Sequence, residues 1–246
     1  MPGLRKVAAT RYVTPLREGG SLPGLVEADD DGLYVLKFRG AGQGVKALVA
    51  EIVCGELARG LGLAVPEIVL MEVDPALGAA EPDPEIQELI TGSAGLNVGL
   101  DFLPGSLPYT PAAGFQPSPE LAAEVVWLDA LVSNVDRTPR NPNLLVWHER
   151  LWLIDHGAAL FFHHREWDPE TDAVKPFAGI RDHVLLPLAA PLPDTEVPEE
   201  VVRAAVGAVP PEWIDAEAYV HYLRHRLARP REFAAVAEQA RVRAAA

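Results

Sequence analysis

The stretch NVDRTPRNPNLLVWHERLWLIDHGAAL, residues 134–160, places acidic and amide side chains around two short apolar runs. Asp136, Asn141 and Asn143 precede the run LLVW, and Asp155 directly follows the run LWLI. Two such runs joined by the short polar turn HER predict a β-hairpin. Because an antiparallel hairpin brings Asn143 and Asp155 to the same open end, we expect these two residues to lie close together.

These oxygen-bearing side chains suit phosphoryl transfer, which needs a metal ion, a cation on the phosphates and a carboxylate that orients the acceptor. Mg²⁺ prefers oxygen ligands, usually one or two from carboxylates. We therefore predict that Asp155 binds the metal and that Asp136 is the catalytic base or orients the acceptor. Strand register favours Asn143 as the second metal ligand, whereas the spacing from Asp136 favours Asn141. Arg137 is a further catalytic candidate, which either faces a phosphate or neutralises the acidic cluster. The competing interpretation is a surface loop, since Asp and Asn also favour turns.

The run LYVLKF, residues 33–38, predicts a strand in which Lys37 shares a face with Leu33 and Val35. An ammonium group on an apolar face is unusual, although an edge-strand lysine can also extend to solvent. The next segment repeats apolar residues at helical spacing and predicts a helix over residues 45–61.

The order of predicted elements indicates an α+β chain. Strands, the helix at 45–61 and further strands come first, and residues 74–89, rich in proline and acid, predict a loop. A Ser-Pro-Glu helix start at 118–120 opens a second helix. The hairpin follows, and helices fill the chain from residue 198 onward.

A small β-rich lobe therefore precedes a larger, mostly helical lobe, with a cleft between them where ligands commonly bind. We place the N-lobe at residues 1–105, with a nucleotide-binding sheet and the first helix. The C-lobe at residues 106–246 contains a catalytic loop at 134–143, a metal-binding hairpin at 144–157 and the C-terminal helices.

Composition and charge narrow the class of protein. The chain has 246 residues and a formal net charge of −14, which argues against nucleic-acid and anionic membrane partners. No run reaches the ~18 apolar residues that span a bilayer. The single cysteine, Cys54, allows no intrachain disulfide. We expect a cytoplasmic protein without a membrane span, and the amphipathic C-terminal helix leaves a protein partner as an alternative to core packing.

The pattern DR…N, hairpin, DHG resembles the catalytic and metal loops of the protein-kinase-like superfamily. Within it, the chain is similar to the HipA-like kinases and the phosphoinositide-kinase-like branch. The pieces that carry the resemblance are PLREGGSLPG, YVLKFRGAGQG, AEIVCGELARGLGL, GLDFLPG and IDHGAALFFHH, which lie within residues 12–164. The resemblance implies a two-lobed protein-kinase-like fold and an ATP- and Mg²⁺-dependent phosphotransferase.

The resemblance leaves the hydroxyl acceptor open among a protein serine or threonine, a lipid headgroup, a sugar and a small metabolite. A second hypothesis is a catalytically weak pseudokinase that acts as an ATP-binding regulatory module. Because lysine, loop aspartate, asparagine and the DHG tripeptide occur together, the sequence favours the enzyme.

The resemblance also implies roles for residues of the N-lobe. Lys37 matches the strand lysine that contacts the phosphates of ATP, with Glu51 as its ion-pair partner and Glu56 as the alternative. The remaining nucleotide contacts that it implies are a phosphate-covering loop of Gly19, Gly20 and Ser21 and an adenine hinge at residues 100–104, which includes Asp101 and Leu103.

Overall fold

A closed five-stranded β-barrel forms the N-terminal part of the protein. The computed structural model describes residues 3–16, 22–79, 81–112 and 114–244. The barrel strands are β1 (Lys6–Pro15), β2 (Gly24–Ala28), β3 (Leu33–Lys37), β4 (Ile68–Val73) and β5 (Gly95–Asp101). They follow the order β1-β2-β3-β5-β4, and β1 closes the barrel by pairing in parallel with β4.

The two faces of β3 separate as its alternation predicts. Tyr34, Leu36 and Phe38 are buried together with apolar residues of β1, β2 and β4. Val35 lies against the other large cluster of buried residues. Lys37 shares this second face, where it reaches the helix α1 (Val45–Gly60).

Helix α1 occupies the predicted position and approaches its neighbours closely. A Cβ atom added at Gly55 would collide with Ile68 of β4, so glycine permits the helix to lie near the barrel. At the end of α1, a Cβ added at Gly60 would meet Val201 of the C-terminal part at 2.5 Å. Helix α1 therefore packs against both parts of the chain.

The prediction of a loop over residues 74–89 is wrong. This segment contains a 3₁₀ helix, Pro75–Gly78, and the start of helix α2 (Pro84–Gly92). Asp83 accepts a hydrogen bond from the backbone N–H of Glu85, and proline occupies the first turn. Ile86 and Ile90 lie one helical turn apart and are buried, which anchors α2 to the barrel strands.

The C-terminal part combines a small sheet with helices. Strands β6 (Leu107–Pro108), β7 (Leu144–Trp147) and β8 (Arg150–Leu153) form an antiparallel sheet. The predicted hairpin turn contains His148 and Glu149, both at positive φ, as a type I′ turn requires. The helices are α3 (Pro119–Val132), α4 (Pro169–Ala173), α5 (Glu199–Gly207), α6 (Ala216–Leu227) and α7 (Pro230–Ala244), with 3₁₀ helices at Phe161–His164, Ala178–Asp182 and Pro211–Trp213.

A β-rich part followed by a helical part agrees with the predicted α+β class. The lobe boundary at residues 105 and 106 stays a prediction, although β6 begins at Leu107 and pairs with β7 rather than with the barrel. One large cluster of buried residues runs from α1 through α3 to α6 and joins the two parts. In the described residues, none of the helices has the length and apolar character needed to cross a membrane.

Candidate active site

A cavity of about 350 Å³ lies where the barrel meets the C-terminal part. Four of the residues singled out in the sequence line it: Lys37 at the end of β3, Asp136 and Asn141 in the loop after α3, and Asp155 after β8. The fold thus brings together residues that are more than 100 positions apart in the chain. The lining combines the cationic group of Lys37 with two carboxylates and with the side-chain amides of Gln43 and Asn141.

Lys37 makes two ion pairs at this cavity. Its Nζ lies 2.7 Å from Oε2 of Glu51 and also donates to Oδ1 of Asp155. Burial alone would lower the pKa of Lys37, but the two carboxylates outweigh it and raise that pKa above its ordinary value. Of the two proposed partners, Lys37 contacts Glu51, since Glu56 pairs with Arg59 at 3.2 Å.

Glu51 is fully buried on α1. Burial would raise the pKa of its carboxyl group, but Lys37 and His156 outweigh that effect and lower it. The carboxylate is therefore ionised at neutral pH and fixes the ammonium group of Lys37. The nucleotide-binding role of this pair stays a prediction.

Two asparagines contact Asp136. Asn141 donates from Nδ2 to Oδ2 of Asp136 at 2.8 Å, and Asn143 donates to the backbone oxygen and to Oδ2 of Asp136, each at 3.2 Å. Asn141 is exposed and lines the cavity, whereas Asn143 is buried and lies outside its lining. The amide nitrogen of Asn141 is occupied by Asp136, which leaves its carbonyl oxygen as the atom that can bind a cation. The geometry thus favours Asn141 over Asn143 as the metal ligand.

Arg137 points away from the cavity. Its side chain is 0% exposed, and it donates to Oδ2 of Asp129 and to the backbone oxygen of Asn143. Asp129 also accepts from Nδ2 of Asn134 at 3.0 Å and binds Nε2 of His183 at 2.9 Å. Of the two interpretations of Arg137, the contacts favour the structural one, because it neutralises a buried carboxylate beneath the loop.

Asp129 is the centre of this support, and the sequence interpretation missed it. Burial would raise the pKa of its carboxyl group, but Arg137 and His183 lower it. The signal was present, because Asp129 is a lone carboxylate in the apolar run VVWLDALV. A charge buried in such a helix needs a partner.

A buried arginine from a distant helix holds the end of α3. Arg226 of α6 is 2% exposed and donates to the backbone oxygens of Leu131 at 2.7 Å and of Ala130 at 2.9 Å. These carbonyls belong to the last turn of α3, where the backbone oxygens have no N–H partner within the helix. Its contact with the oxygen of Ala173 at 2.9 Å ties the same helix end to α4. Arg226, also missed from sequence, fixes the point from which the loop at 134–143 starts.

Left-handed backbone conformations mark the ends of both loops. Ser133, Asn143, Asp155 and Leu160 have φ of 54°, 49°, 54° and 50°. Such residues cost of order 1–3 kcal/mol each and persist where the surroundings hold them. Asn and Asp tolerate this conformation better than most residues. The loops that carry Asp136 and Asp155 are therefore held in defined shapes by the contacts around them.

The predicted adenine-hinge residues Asp101 and Leu103 lie apart from the cavity lining. Leu103 is buried just beyond β5, and Asp101 ends that strand with its carboxyl pKa raised by burial. Neither is among the described residues that line the cavity. The predicted loop residues Gly19, Gly20 and Ser21 fall outside the described residues.

The donor set fits a divalent cation shared with phosphates. Among the described residues, no three His, Cys, Asp or Glu side chains form a metal-ligand cluster. Asp155 and Asn141 instead provide one carboxylate and one amide oxygen at the same cavity. Mg²⁺ in nucleotide sites typically takes one or two protein carboxylates, with phosphates and water as further ligands.

Solved kinases share this fold. The chain covers 98% of the Helicobacter pylori proinflammatory kinase CtkA, over 98% of its own length, with a TM-score of 0.52 and 11% identity. The match with Golgi casein kinase with Mn/ADP bound covers 97% of this chain and 73% of the Golgi kinase chain, with a TM-score of 0.53 and 14% identity. These similarities confirm the two-lobed protein-kinase-like fold.

A search of curated proteins found no match. The family model described as HipA-like kinase matches residues 10–227, which is most of the sequence. The chain belongs to the HipA-like kinase family.

Proposed function

We propose that this protein is an ATP- and Mg²⁺-dependent phosphotransferase that transfers the γ-phosphoryl group to a hydroxyl acceptor. The observation that carries the proposal is the shared cavity of Lys37, Asp136, Asn141 and Asp155. Membership of a kinase family supports it, and one structural neighbour has Mn/ADP bound.

Lys37 is the group that we propose to hold the phosphates of ATP. Glu51 fixes its ammonium group from one side, and Asp155 contacts it from the other. A fixed cation at the phosphates favours transfer because the charge need not reorganise during the reaction.

Asp155 and Asn141 are the residues that we propose to bind Mg²⁺. Mg²⁺ held by these two residues would supply positive charge that neutralises the phosphates. The two residues lie on different loops of the C-terminal part, and each is held by a neighbour, Lys37 for Asp155 and Asp136 for Asn141. Both residues line the same cavity.

Asp136 is the carboxylate that we propose to orient the acceptor hydroxyl and to receive its proton. Amide groups of Asn141 and Asn143 both contact Oδ2, which fixes the carboxylate within the cavity. General-base catalysis requires such positioning within hydrogen-bond reach of the acceptor. Because one structural neighbour is a casein kinase, a protein serine or threonine is the acceptor to test first.

The alternative function is an ATP-binding pseudokinase. Asn134 and Val135 stand before Asp136, where protein kinases have His-Arg. The side chain of Asn134 donates to the buried Asp129 and does not line the cavity. Val135 is exposed and lines the cavity. A cytoplasmic location and a protein partner stay predictions from the sequence.

Transfer of ³²P from γ-labelled ATP separates these functions. Wild type with Mg²⁺ should label itself or a protein substrate mixture, and Asp136→Asn should reduce the rate by about 100-fold or more. Asp182→Asn is the matched control, because Asp182 is exposed and lies outside the cavity lining. Binding of ATP without transfer would leave the pseudokinase. Absence of both binding and transfer in wild type would refute the proposal.

A further inference from the structure

His156 lies against Glu51 in the interior, behind the cavity. Both side chains are 0% exposed, and Nδ1 of His156 is 3.5 Å from Oε1 of Glu51. Neither atom has a hydrogen-bond partner among the described residues. The other oxygen of Glu51 accepts from Lys37 at 2.7 Å. Two unpaired polar atoms therefore face each other beside the Lys37 ion pair.

Buried polar atoms without partners are rare, and each costs about 1–3 kcal/mol. An N–H···O hydrogen bond spans about 2.7–3.2 Å, so a shift of a few tenths of an ångström would pair these two atoms. A neutral imidazole with its proton on Nδ1 is a donor, and the carboxylate oxygen is an acceptor. The contact needs no change in the charge of His156.

The contact between His156 and Glu51 closes a ring of residues around the Lys37 ion pairs. His156 directly follows Asp155, whose carboxylate contacts Lys37. Lys37 contacts Glu51, and Glu51 faces His156. These four residues form a ring that joins β3, α1 and the loop after β8.

We propose that His156 is a positioning residue of the nucleotide site, which donates from Nδ1 to Oε1 of Glu51 and ties α1 to the loop that carries Asp155. The proposal rests on the proposed function in one respect, namely that Lys37 holds the phosphates of ATP. His156 then acts on ATP through Glu51 and Lys37 and does not touch the nucleotide. The competing explanation is that the imidazole ring only fills space.

Three substitutions of His156 separate donation from packing. His156→Phe keeps a ring of similar size and removes both nitrogens. His156→Asn places an amide nitrogen near the position of Nδ1, whereas His156→Gln places one near the position of Nε2. Donation from Nδ1 therefore predicts that Asn restores function better than Gln, and packing alone predicts that Phe is the best replacement.

The first test is the affinity for ATP with Mg²⁺, measured by titration calorimetry. We expect His156→Phe to weaken binding about tenfold and His156→Asn to stay within about threefold of wild type, as loss and retention of one charge-assisted hydrogen bond imply. In a Glu51→Leu background, which has no acceptor for Nδ1, His156→Phe should add little, because residues that act together are non-additive. Equal affinity of wild type and His156→Phe, or an undiminished effect in the Glu51→Leu background, would overturn the proposal. Thermal unfolding of each variant checks that it is folded.

The second test needs no nucleotide. In protein with ¹⁵N-labelled histidine side chains, the signals of His156 are identified by their loss in His156→Phe. We expect the Nδ1–H tautomer in wild type and a changed Nδ1 shift in Glu51→Gln. A proton on Nε2 with a bare Nδ1 would overturn the contact. If wild type failed to bind ATP, the proposed function and the positioning role would fall, and the tautomer would still decide the contact between His156 and Glu51.

Discussion

Replacing Lys37 with methionine tests whether its ammonium group compensates a buried carboxylate. In wild type, Nζ lies 2.7 Å from Oε2 of Glu51, whose side chain is 0% exposed. Methionine retains an unbranched apolar side chain but removes the charge. Among the described residues, the polar neighbour that Glu51 then keeps is His156, whose Nδ1 lies 3.5 Å from Oε1. The variant must bury an uncompensated charge or bind a proton at Glu51.

The structure sets the size of this effect. Removing one partner of a buried ion pair typically costs about 3–5 kcal/mol. The lower end applies here, because Lys37 is 11% exposed and the side chain of Asp155 is 39% exposed, so water can replace part of the lost interaction. We expect Lys37→Met to lower the free energy of unfolding by about 3 kcal/mol near neutral pH.

The effect should depend on pH in a defined direction. In wild type, the pKa of Glu51 is lowered below its ordinary value of 4.5, so the stabilisation is present above that pH and is lost as the pH falls through the lower value. In Lys37→Met, burial raises the pKa of Glu51, and ionisation above the ordinary value destabilises the fold. The difference between the two proteins should therefore grow as the pH rises from about 5 to about 7.5.

Urea denaturation at both pH values measures these free energies. The double variant Lys37→Met/Glu51→Gln is the matched control, since it removes the carboxylate together with its partner. It should recover at least half of the loss at neutral pH. A loss below about 1 kcal/mol in Lys37→Met, or a double variant no more stable than the single one, would refute the reasoning.

Three further substitutions test the support around the cavity. Asp129→Asn removes the charge that pairs with Arg137 and should lower the free energy of unfolding by about 3 kcal/mol; hydrogen exchange in the loop after α3 should accelerate, and unchanged protection there would count against it. Arg226→Met leaves buried carbonyl oxygens unpaired and should cost about 3 kcal/mol in urea denaturation; a loss under about 1 kcal/mol would show that α3 ends without its help. Glu56→Gln is the control for Glu51→Gln, because it removes a pair with the partly exposed Arg59. It should change the free energy of unfolding by less than about 1 kcal/mol and leave the affinity for ATP unchanged. A larger effect would remove its value as a control.

Local sequence patterns predict much of the secondary structure of the fold. The hairpin follows from two short apolar runs that favour strands and flank a polar turn. The side of β3 on which Lys37 lies follows from the alternation of residues along that strand. Helix α1 follows from apolar spacing. Composition is the wrong guide at helix α2, where the segment is acidic and rich in proline. Two better signals are the Asp83 cap with a following proline and the apolar residues Ile86 and Ile90, one helical turn apart.

The site depends on contacts that local patterns do not contain. Strand register correctly places Asn143 next to the end of the hairpin, where its backbone oxygen accepts from Ile154 at 3.1 Å. Its side chain nevertheless turns toward the backbone of Asp136, and Asn141 lines the cavity. The direction of Arg137 is likewise set by Asp129, a partner on another element. Register fixes where a backbone lies, whereas tertiary contacts fix where a side chain points.

Binding of ATP with and without Mg²⁺, measured by titration calorimetry for wild type and Asp155→Asn, tests most directly the claim that the cavity is a metal-dependent nucleotide site. Asp155→Asn is nearly isosteric and leaves Glu51 paired with Lys37, so the fold should survive. We predict that wild type binds ATP at least tenfold more tightly with Mg²⁺ and that Asp155→Asn loses most of this gain. ATP binding that ignores Mg²⁺ in wild type, or an undiminished Mg²⁺ effect in Asp155→Asn, would contradict the account.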